Sequence, residues 1–244
     1  RINRAKDDAA GMAITERITA QIRGLSQAQR NANDGISMMQ TAEGAMDEIA
    51  NALQRMRELA VQAANGTVNA SDKASLNAEY QALANEISRT TRATSFNEVY
   101  VLNGAADVTL QVGYKDTTDD QIDISFVDLS TDLTAVQVAA TPTHPSAIDT
   151  ESGALAALAL IDADINTISS SRADLGAVQN RLESTIRNIA NVVENQSAAR
   201  SRIRDANFAA ETANLTRTQI LQQAGTAMLA QANAIPQNVL QLLG

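Results

Sequence analysis

The chain of 244 residues has no cysteine, which excludes disulfide bonds, thiolate catalysis and cysteine metal sites. Tryptophan is absent too, and aromatic residues make up only 2% of the chain although 44% of its residues are hydrophobic. Because aromatic side chains usually dominate burial in a compact core, their shortage favours long helices packed side by side through Ala, Leu, Ile and Val. The net charge of −9 argues against nucleic acid as a partner.

The sequence offers no convergent set of groups for catalysis, so we predict that the protein is not an enzyme and has no cofactor. The single histidine, His144, precedes Pro145 and is interpreted as an exposed loop residue. Four aspartates lack the spacing of a calcium-binding loop and are interpreted as a solvated hairpin loop: Asp116, Asp119, Asp120 and Asp123. The longest apolar stretch, 154–161, is shorter than the roughly 20 residues of a membrane span, so no membrane insertion is predicted.

A seven-residue hydrophobic repeat extends from Asp7 to about Asn65. Its members are all apolar: Ile18, Leu25, Ala32, Met39, Met46, Leu53 and Ala60. A second series, displaced by three or four residues, has one bulky polar exception, Gln21, and together the two series form a stripe along one helix face. Such a helix would be roughly 90 Å long at 1.5 Å per residue, and it therefore needs a partner helix of similar length.

The partner repeat lies in the second half of the chain. It has one polar interruption, Gln196, and includes Ile161, Ile168, Leu175, Leu182, Ile189 and Ile203. Two unrelated amphipathic helices would give similar stripes, but the length of both favours helices that pack along a common seam. The sequence therefore predicts a mainly α, elongated antiparallel helical-bundle rod with a small β-hairpin and a C-terminal helical tail. We assign this rod seam to Ile18, Leu25, Met39, Met46, Leu53, Leu175, Leu182 and Ile189.

The residues between the two repeats predict smaller elements. Asn65-Gly66 is a helix stop, Ser71 or Asp72 is a candidate N-cap, and apolar residues from Leu76 to Ile87 predict a helix that folds back on the first one. After Asn103-Gly104 the period falls to two, and the alternating residues predict a β-hairpin: Val108, Leu110, Val112, Ile122, Ile124 and Phe126. The stretch 128–152 is interpreted as a surface connection with one more short strand.

The C-terminal segment is amphipathic at helical spacing, and Pro236 is expected to interrupt it. Its apolar side chains have no counterpart at the beginning of the chain, which suggests that an N-terminal segment is missing. We expect such a tail to be loosely ordered unless it has a partner.

Several long motifs of this chain resemble bacterial flagellin, the subunit of the bacterial flagellar filament. They lie at both ends of the chain: Arg1-Ile2-Asn3, Ala5–Gly11, Gln21–Leu25, Asn31–Ser37, Gln54–Gln62, Ser197–Asp205, Gln219–Gly225 and Pro236–Leu240. The resemblance implies a rod domain formed by both ends of the chain and an inner domain that pairs the extreme terminal segments. It also implies outer domains inserted in the middle, for which the present insertion is too short.

On this resemblance we divide the chain into four parts. They are the N-terminal part of the rod domain (1–105), a β-hairpin and short connection in place of outer domains (106–153), the C-terminal part of the rod domain (154–206) and the inner-domain helix (207–244). The resemblance implies a secreted structural subunit that assembles with copies of itself into the extracellular flagellar filament for motility. The competing hypothesis is a flagellin homologue on the cell surface that acts mainly as a ligand-binding protein.

The resemblance also implies two other partners. A flagellin export chaperone covers the tail before export, at Leu215, Leu221, Met228, Leu229, Val239 and Leu240. Toll-like receptor 5 recognises the monomer, at the positions Arg55, Leu59 and Glu79.

Helical spacing gives two expectations about the outward face of the first helix. Arg55, Leu59 and Gln62 share one face, turned away from the seam, where an apolar Leu59 beside a cation would form a protein-contact patch. Gly24 and Gly44 lie off the seam, and either they permit close approach between subunits or they are tolerated surface positions.

Overall fold

The computed structural model describes residues 6, 8–104, 107–136 and 147–243, and the side chains of its last helix as far as residue 232. Helix accounts for 77% of the described residues, which confirms the predicted mainly α class. Contacts divide the chain into two compact units, which are residues 20–195 and residues 1–19 with 196–244. The predicted His144 loop lies outside the described residues.

Helix α1 (Ala9–Ala63) has 55 residues. At its start, Asp8 accepts a hydrogen bond from the Gly11 N–H at 2.9 Å and so caps an otherwise unpaired donor. Its sequence is rich in Ala, Met and Gln, which favour helix, and contains no proline. The helix ends just before Asn65-Gly66, as the sequence predicts.

Helix α4 (Glu151–Arg204) packs on α1 within residues 20–195. Its buried positions alternate at intervals of three and four, the spacing of a heptad repeat: Ala154, Ala157, Ile161, Asp164, Ile168, Ser171 and Leu175. In the contacts between the two helices, residue numbers rise along α1 while they fall along α4: Leu25 with Ile189, Glu43 and Asp47 with Arg172, and Arg57 with Asp162. The predicted antiparallel pairing is therefore confirmed.

Helix α2 (Ala70–Ala93) folds back on α1 as predicted, with Tyr80 and Ile87 in the shared core. The predicted N-cap was wrong by two or three residues. The cap is Asn69, whose side-chain oxygen accepts the Asp72 N–H at 2.9 Å while its amide donates to the Asp72 carboxylate at 2.7 Å. An Asn in extended backbone geometry can do this, so the helix starts one turn earlier than Asp72 alone suggests.

The predicted β-hairpin is present as β3 (Val108–Gln111) and β4 (Gln121–Ile124), which pair antiparallel. The hairpin packs on α1, since the Asn31 side-chain amide donates to the Gln111 carbonyl at 3.0 Å. A smaller hairpin of β1 (Ser95–Phe96) and β2 (Val99–Tyr100) was not predicted. Its two turn residues, Asn97 and Glu98, have positive φ angles of 48° and 66°.

The residues that follow β4 form a one-turn helix, α3 (Leu129–Asp132). The described part of 128–152 contains this helix and no strand, so the predicted extra strand is wrong there. Asp128 caps α3 by accepting the Ser130 N–H at 3.0 Å, and a cap of this kind favours a helical turn over an extended strand.

Two side chains fasten the backbone on either side of residues 137–146. Asp164 of α4 accepts the Thr134 N–H and the Ala135 N–H, each at 2.9 Å. On the other side, the Asn77 side chain of α2 accepts the Ile148 N–H at 3.1 Å. These contacts fix the backbone at 134–135 and at Ile148.

Helix α5 (Phe208–Leu243) follows a short break in which Asn207 caps the new helix by accepting the Ala209 N–H at 3.1 Å. It continues through Pro236, so the predicted interruption there is wrong. Proline in a helix interior removes one backbone hydrogen bond, that to the carbonyl four residues earlier, which belongs to Ala232. Ala232 is exposed, so water can satisfy that carbonyl and the helix can continue.

Candidate interaction surfaces

Arg55 binds two carboxylates on the exposed side of α1, and we call this group the Arg55 cluster (Arg55, Glu58 and Glu79). The Arg55 guanidinium donates to Glu79 of α2 at 3.0 and 2.8 Å, and to Glu58 of α1 at 2.9 Å. The hydrogen bonds with Glu58 and Glu79 raise the pKa of Arg55 above its ordinary value. The cluster therefore presents a permanent cation in a fixed orientation, flanked by two carboxylates.

Leu59 does not contribute to this surface. Only 1% of it is exposed, and it lies in the main core together with Met56, Ala60 and Ala63. Leu59 does lie on the face of α1 that is turned away from the seam, as its helical spacing predicts. That face is not exposed, however, because α2 covers it with Tyr80 and neighbouring residues. The predicted exposed patch of Arg55, Leu59 and Gln62 is therefore wrong at Leu59.

The apolar side chain that α1 does expose near Arg55 is Val61, half of whose surface is accessible. It lines a shallow depression of about 470 Å³ together with Gln54, Arg57 and Glu58. Arg57 closes one side by donating to Asp162 of α4 at 2.7 Å, a contact that raises the pKa of Arg57. The sequence did not predict Val61 as an exposed apolar residue, because it directly follows Ala60, a member of the seven-residue repeat that predicts the seam.

The predicted rod-seam residues are buried between α1 and α4, except for the half-buried Ile18 at the beginning of the stripe. The buried members are Leu25, Met39, Met46, Leu53, Leu175, Leu182 and Ile189. Ion pairs flank the seam where Arg172 reaches Asp47 at 3.0 Å and Glu43 at 3.7 Å. Where α2 and the β3–β4 hairpin do not cover them, both helices also have exposed side chains.

Gly24 and Gly44 of α1 have different surroundings. A Cβ atom placed on Gly24 would lie 2.9 Å from the Tyr114 Cβ, so the space above Gly24 is filled by the loop of the β3–β4 hairpin. The hypothesis that Gly24 admits a neighbouring subunit is therefore wrong, because its own chain occupies the position. Gly44 has nothing within 4 Å of the corresponding point and faces open space.

The hairpin loop is held rigidly above α1. The Asp120 carboxylate accepts the Lys115 N–H at 2.8 Å, and the Gln111 amide donates to the Lys115 carbonyl at 2.7 Å. Next to the loop, a groove of about 690 Å³ runs between α1 and α4, with Leu25, Arg181 and Asn188 among its lining residues. Asp120 and Asp123, two of the four aspartates interpreted as solvated, therefore have hydrogen-bond partners within the protein. Asp123 accepts a hydrogen bond from the Thr109 hydroxyl at 2.7 Å.

Helix α5 carries a long set of exposed apolar side chains. Between 58% and 83% of each is accessible: Phe208, Leu215, Ile220, Leu221, Met228 and Leu229. Part of this surface forms a groove of about 770 Å³ along one side of the helix, from Phe208 to Leu221. Soluble proteins rarely expose so much contiguous apolar surface unless a partner covers it. The side chains of Val239 and Leu240 lie outside the described residues.

The described residues include no group of three or more His, Asp or Glu side chains placed to hold a metal ion. Within the same residues, no helix combines the length and apolar character needed to cross a membrane. What the described residues do present is helical packing in the interior and extended surfaces outside. These features define the class of mainly α-helical proteins with extended exposed surfaces.

Comparisons with known proteins identify the family. Residues 1–107 match the family model described as the bacterial flagellin N-terminal helical region, and residues 158–243 match the C-terminal helical region. The chain is 51% identical to a flagellin of Halalkalibacterium halodurans, over all of this chain and 87% of that protein. It is 45% identical to a flagellin of Bacillus subtilis, over all of this chain and 88% of that protein.

A solved structure agrees. The crystal structure of Bacillus cereus flagellin is similar at a TM-score of 0.57 and 32% identity, covering 66% of this chain and 88% of that one. The chain belongs to the bacterial flagellin family. It is a structural subunit of the bacterial flagellar filament, the extracellular part of the flagellum, and serves motility.

Proposed function

We propose that α5 is the part of this flagellin that becomes covered when subunits assemble, and that a flagellin export chaperone covers the same side chains before secretion. The observation that carries the proposal is the exposed apolar surface from Phe208 to Leu229. Covering one such side chain contributes about 1.5–3 kcal/mol, so six of them supply a strong drive for association. The proposal extends to Val239 and Leu240 on the resemblance to flagellin.

The double substitution Leu221→Ser with Leu229→Ser tests this proposal. We expect flagellin-deficient cells that express the variant to form few or no filaments, because the covered apolar surface shrinks. Purified variant should also bind a flagellin export chaperone at least about tenfold more weakly, a loss equivalent to 1.4 kcal/mol. The pair Gln222→Ala and Gln231→Ala changes exposed polar residues of the same helix and is the matched control. Normal filaments and unchanged chaperone affinity in the serine variant would refute the proposal.

The four-part domain division and the rod seam follow the same proposal. We infer that residues 1–105 and 154–206 form the filament's structural domain, that 106–153 replace the outer domains, and that 207–244 belong to the inner domain. The seam from Ile18 to Leu53 and from Leu175 to Ile189 would then stiffen each subunit, and the accessible outer faces of α1 and α4 would meet neighbouring copies. The burial of the seam residues supports this assignment.

We also propose that the Arg55 cluster is a contact site for Toll-like receptor 5. Support comes from its exposure and from the fixed, charged arrangement of Arg55 and Glu79. An arginine side chain that its neighbours already hold in place loses little entropy on binding. Arginine is also common among the residues that contribute most of the binding energy of an interface. Leu59, which the resemblance also implies, would act indirectly by packing α2 under the cluster.

Receptor signalling tests this second proposal. We expect Arg55→Ala to weaken activation of cells that carry the receptor, because the cation and the orientation of Glu79 are lost together. Arg89→Ala is the matched control, since Arg89 is also an exposed arginine, belongs to α2 and pairs with Glu86. Thermal unfolding should be nearly the same in both variants. Equal signalling by the two would contradict the assignment.

A further inference from the structure

The chain contains two Asn-Gly pairs, which are the dipeptides most prone to lose ammonia from the asparagine side chain. The glycine has no Cβ, so its backbone nitrogen can approach the neighbouring side-chain carbon more closely than that of any other residue. The two pairs are Asn65-Gly66, between α1 and α2, and Asn103-Gly104, before β3. Their environments differ in the hydrogen bonding of the glycine nitrogen and in the burial of the asparagine.

Asn65-Gly66 is open to attack and activated. Both residues are exposed, and a Cβ on Gly66 would meet nothing within 4 Å, so the turn has room to move. The Gly66 N–H donates no hydrogen bond within the described residues, which leaves its nitrogen available. The Asn65 side-chain oxygen accepts the Thr67 N–H at 3.1 Å. A donor at this oxygen stabilises the negative charge that develops there when the side-chain carbon is attacked.

Asn103-Gly104 differs at the glycine nitrogen and at the asparagine, although Gly104 is also exposed with nothing within 4 Å of its Cβ position. The Gly104 N–H donates to the Asp128 carboxylate, so the nitrogen is held in place and its proton is retained by a negative partner. Gly104 also has a φ of +62°, and Asn103 is half-buried next to the buried Leu102. Attack at this pair would break an existing hydrogen bond.

We propose that Asn65 is a site of spontaneous deamidation in this flagellin, with water as the only co-reactant. The Gly66 nitrogen loses its proton and forms a bond to the Asn65 Cγ, the bond from Cγ to Nδ2 breaks, and ammonia leaves with that proton. The product is a cyclic imide. Water then opens either of its two carbonyl–nitrogen bonds, giving aspartate or isoaspartate, and no oxidation or reduction takes place.

The modification changes the end of α1. It adds a negative charge two residues beyond Ala63, where the helix dipole already places partial negative charge on the last carbonyls. The isoaspartate product also lengthens the backbone by one carbon in the turn that leads to Asn69, the cap of α2. Both changes loosen the connection between α1 and α2.

Peptide mapping by mass spectrometry tests the proposal. The folded chain is incubated in mildly alkaline buffer made with heavy-oxygen water, and aspartate plus isoaspartate are quantified at residues 65 and 103. We expect the product to accumulate at residue 65 at least about ten times faster, a difference of 1.36 kcal/mol in barrier. The same chain in concentrated denaturant is the control, and there the two sites should react at similar rates.

Two variants complete the test. Gly66→Ala should slow the reaction at residue 65 at least about tenfold, because the new methyl group hinders the approach of the nitrogen. Asp128→Asn should accelerate the reaction at residue 103 by weakening the contact that holds the Gly104 N–H. Equal rates at the two residues in the folded chain, or a contrast that persists in denaturant, would overturn the proposal.

Discussion

At the scale of single residues, Asp164 is an unusual member of the core. It occupies a heptad position of α4 that an apolar residue would ordinarily fill, and only 1% of it is exposed. Burial raises the pKa of Asp164, and the N–H groups of Ala135 and Thr134 partly oppose this shift. The carboxylate accepts hydrogen bonds from the backbone N–H groups of Thr134 and Ala135, which offsets part of the cost of its burial.

Replacing Asp164 by Asn should destabilise the chain by about 1–3 kcal/mol at neutral pH, since the amide oxygen can serve only one of the two donors well. Because the folded pKa of Asp164 is raised, the folded chain takes up this proton at higher pH than the unfolded chain. The wild-type residue therefore adds stability at low pH that is lost as pH rises through its folded pKa. Urea unfolding at several pH values should show the gap between the two proteins widening as pH falls.

Asp128 gives a control of opposite sign. The hydrogen bond from Ser130 lowers the pKa of Asp128, so its contribution is present above its ordinary pKa and lost as pH falls. The stability gap between wild type and Asp128→Asn should therefore narrow on acidification. If both gaps changed in the same direction, the assigned environments of the two carboxylates would be wrong.

The three positions that the resemblance assigns to the candidate receptor site differ in exposure. Arg55 and Glu79 both lie on exposed sides of their helices and form an ion pair that the sequence did not predict. Leu59 is buried because α2 packs on α1, and the periodicity of α1 alone contains no information about that second contact. Val61 could have been identified by asking which apolar residue of α1 falls outside both buried faces.

At the scale of elements, α1 contains a matched pair of glycines. An alanine at either position gains helix propensity, worth about 0.5–1 kcal/mol. Gly44 faces open space, so Gly44→Ala should raise the unfolding free energy by that amount. At Gly24 the new Cβ would contact the Tyr114 Cβ, which cannot rotate away because it is attached directly to the backbone. Gly24→Ala should therefore show no gain, or a loss.

Chemical unfolding of the two variants distinguishes these cases. If Gly24→Ala stabilised the chain as much as Gly44→Ala, the hairpin loop would not rest on α1 as described. Loss of the Tyr114 side chain is a further check. In a Tyr114→Gly background the Cβ contact is gone, and Gly24→Ala should recover the gain seen at Gly44.

The elements differ in how much of their position the sequence determines. The seven-residue repeats locate α1 and α4, and the alternation of Val108 and Leu110 locates β3, because these patterns persist over several turns or residues. The N-cap of α2 depends on one side chain, and Asn and Ser are about equally favourable there, so the sequence does not distinguish Asn69 from Ser71 as the cap. The two-residue strands β1 and β2 have no repeat at all and follow from the turn geometry at Asn97 and Glu98.

At the scale of the whole molecule, the net charge opposes association. Each copy carries a net charge of −9, so copies that assemble must first overcome mutual repulsion. The screening length falls from about 30 Å at 0.01 M salt to about 10 Å at 0.1 M. We therefore expect added salt to accelerate growth of this flagellin on filament seeds, measured by light scattering. An equal osmolarity of sucrose is the uncharged control, and growth that slowed with salt would contradict this prediction.

The fastening of the chain at Asp164 and at Asn77 has a consequence for the evolution of flagellins. The first holds the backbone at 134–135 and the second holds it at Ile148, and both belong to helices that are themselves locked in the core. Whatever polypeptide joins these two points transmits little strain to α2 or α4. A lineage can thus lengthen, shorten or replace the sequence between these two points while α2 and α4 keep their register.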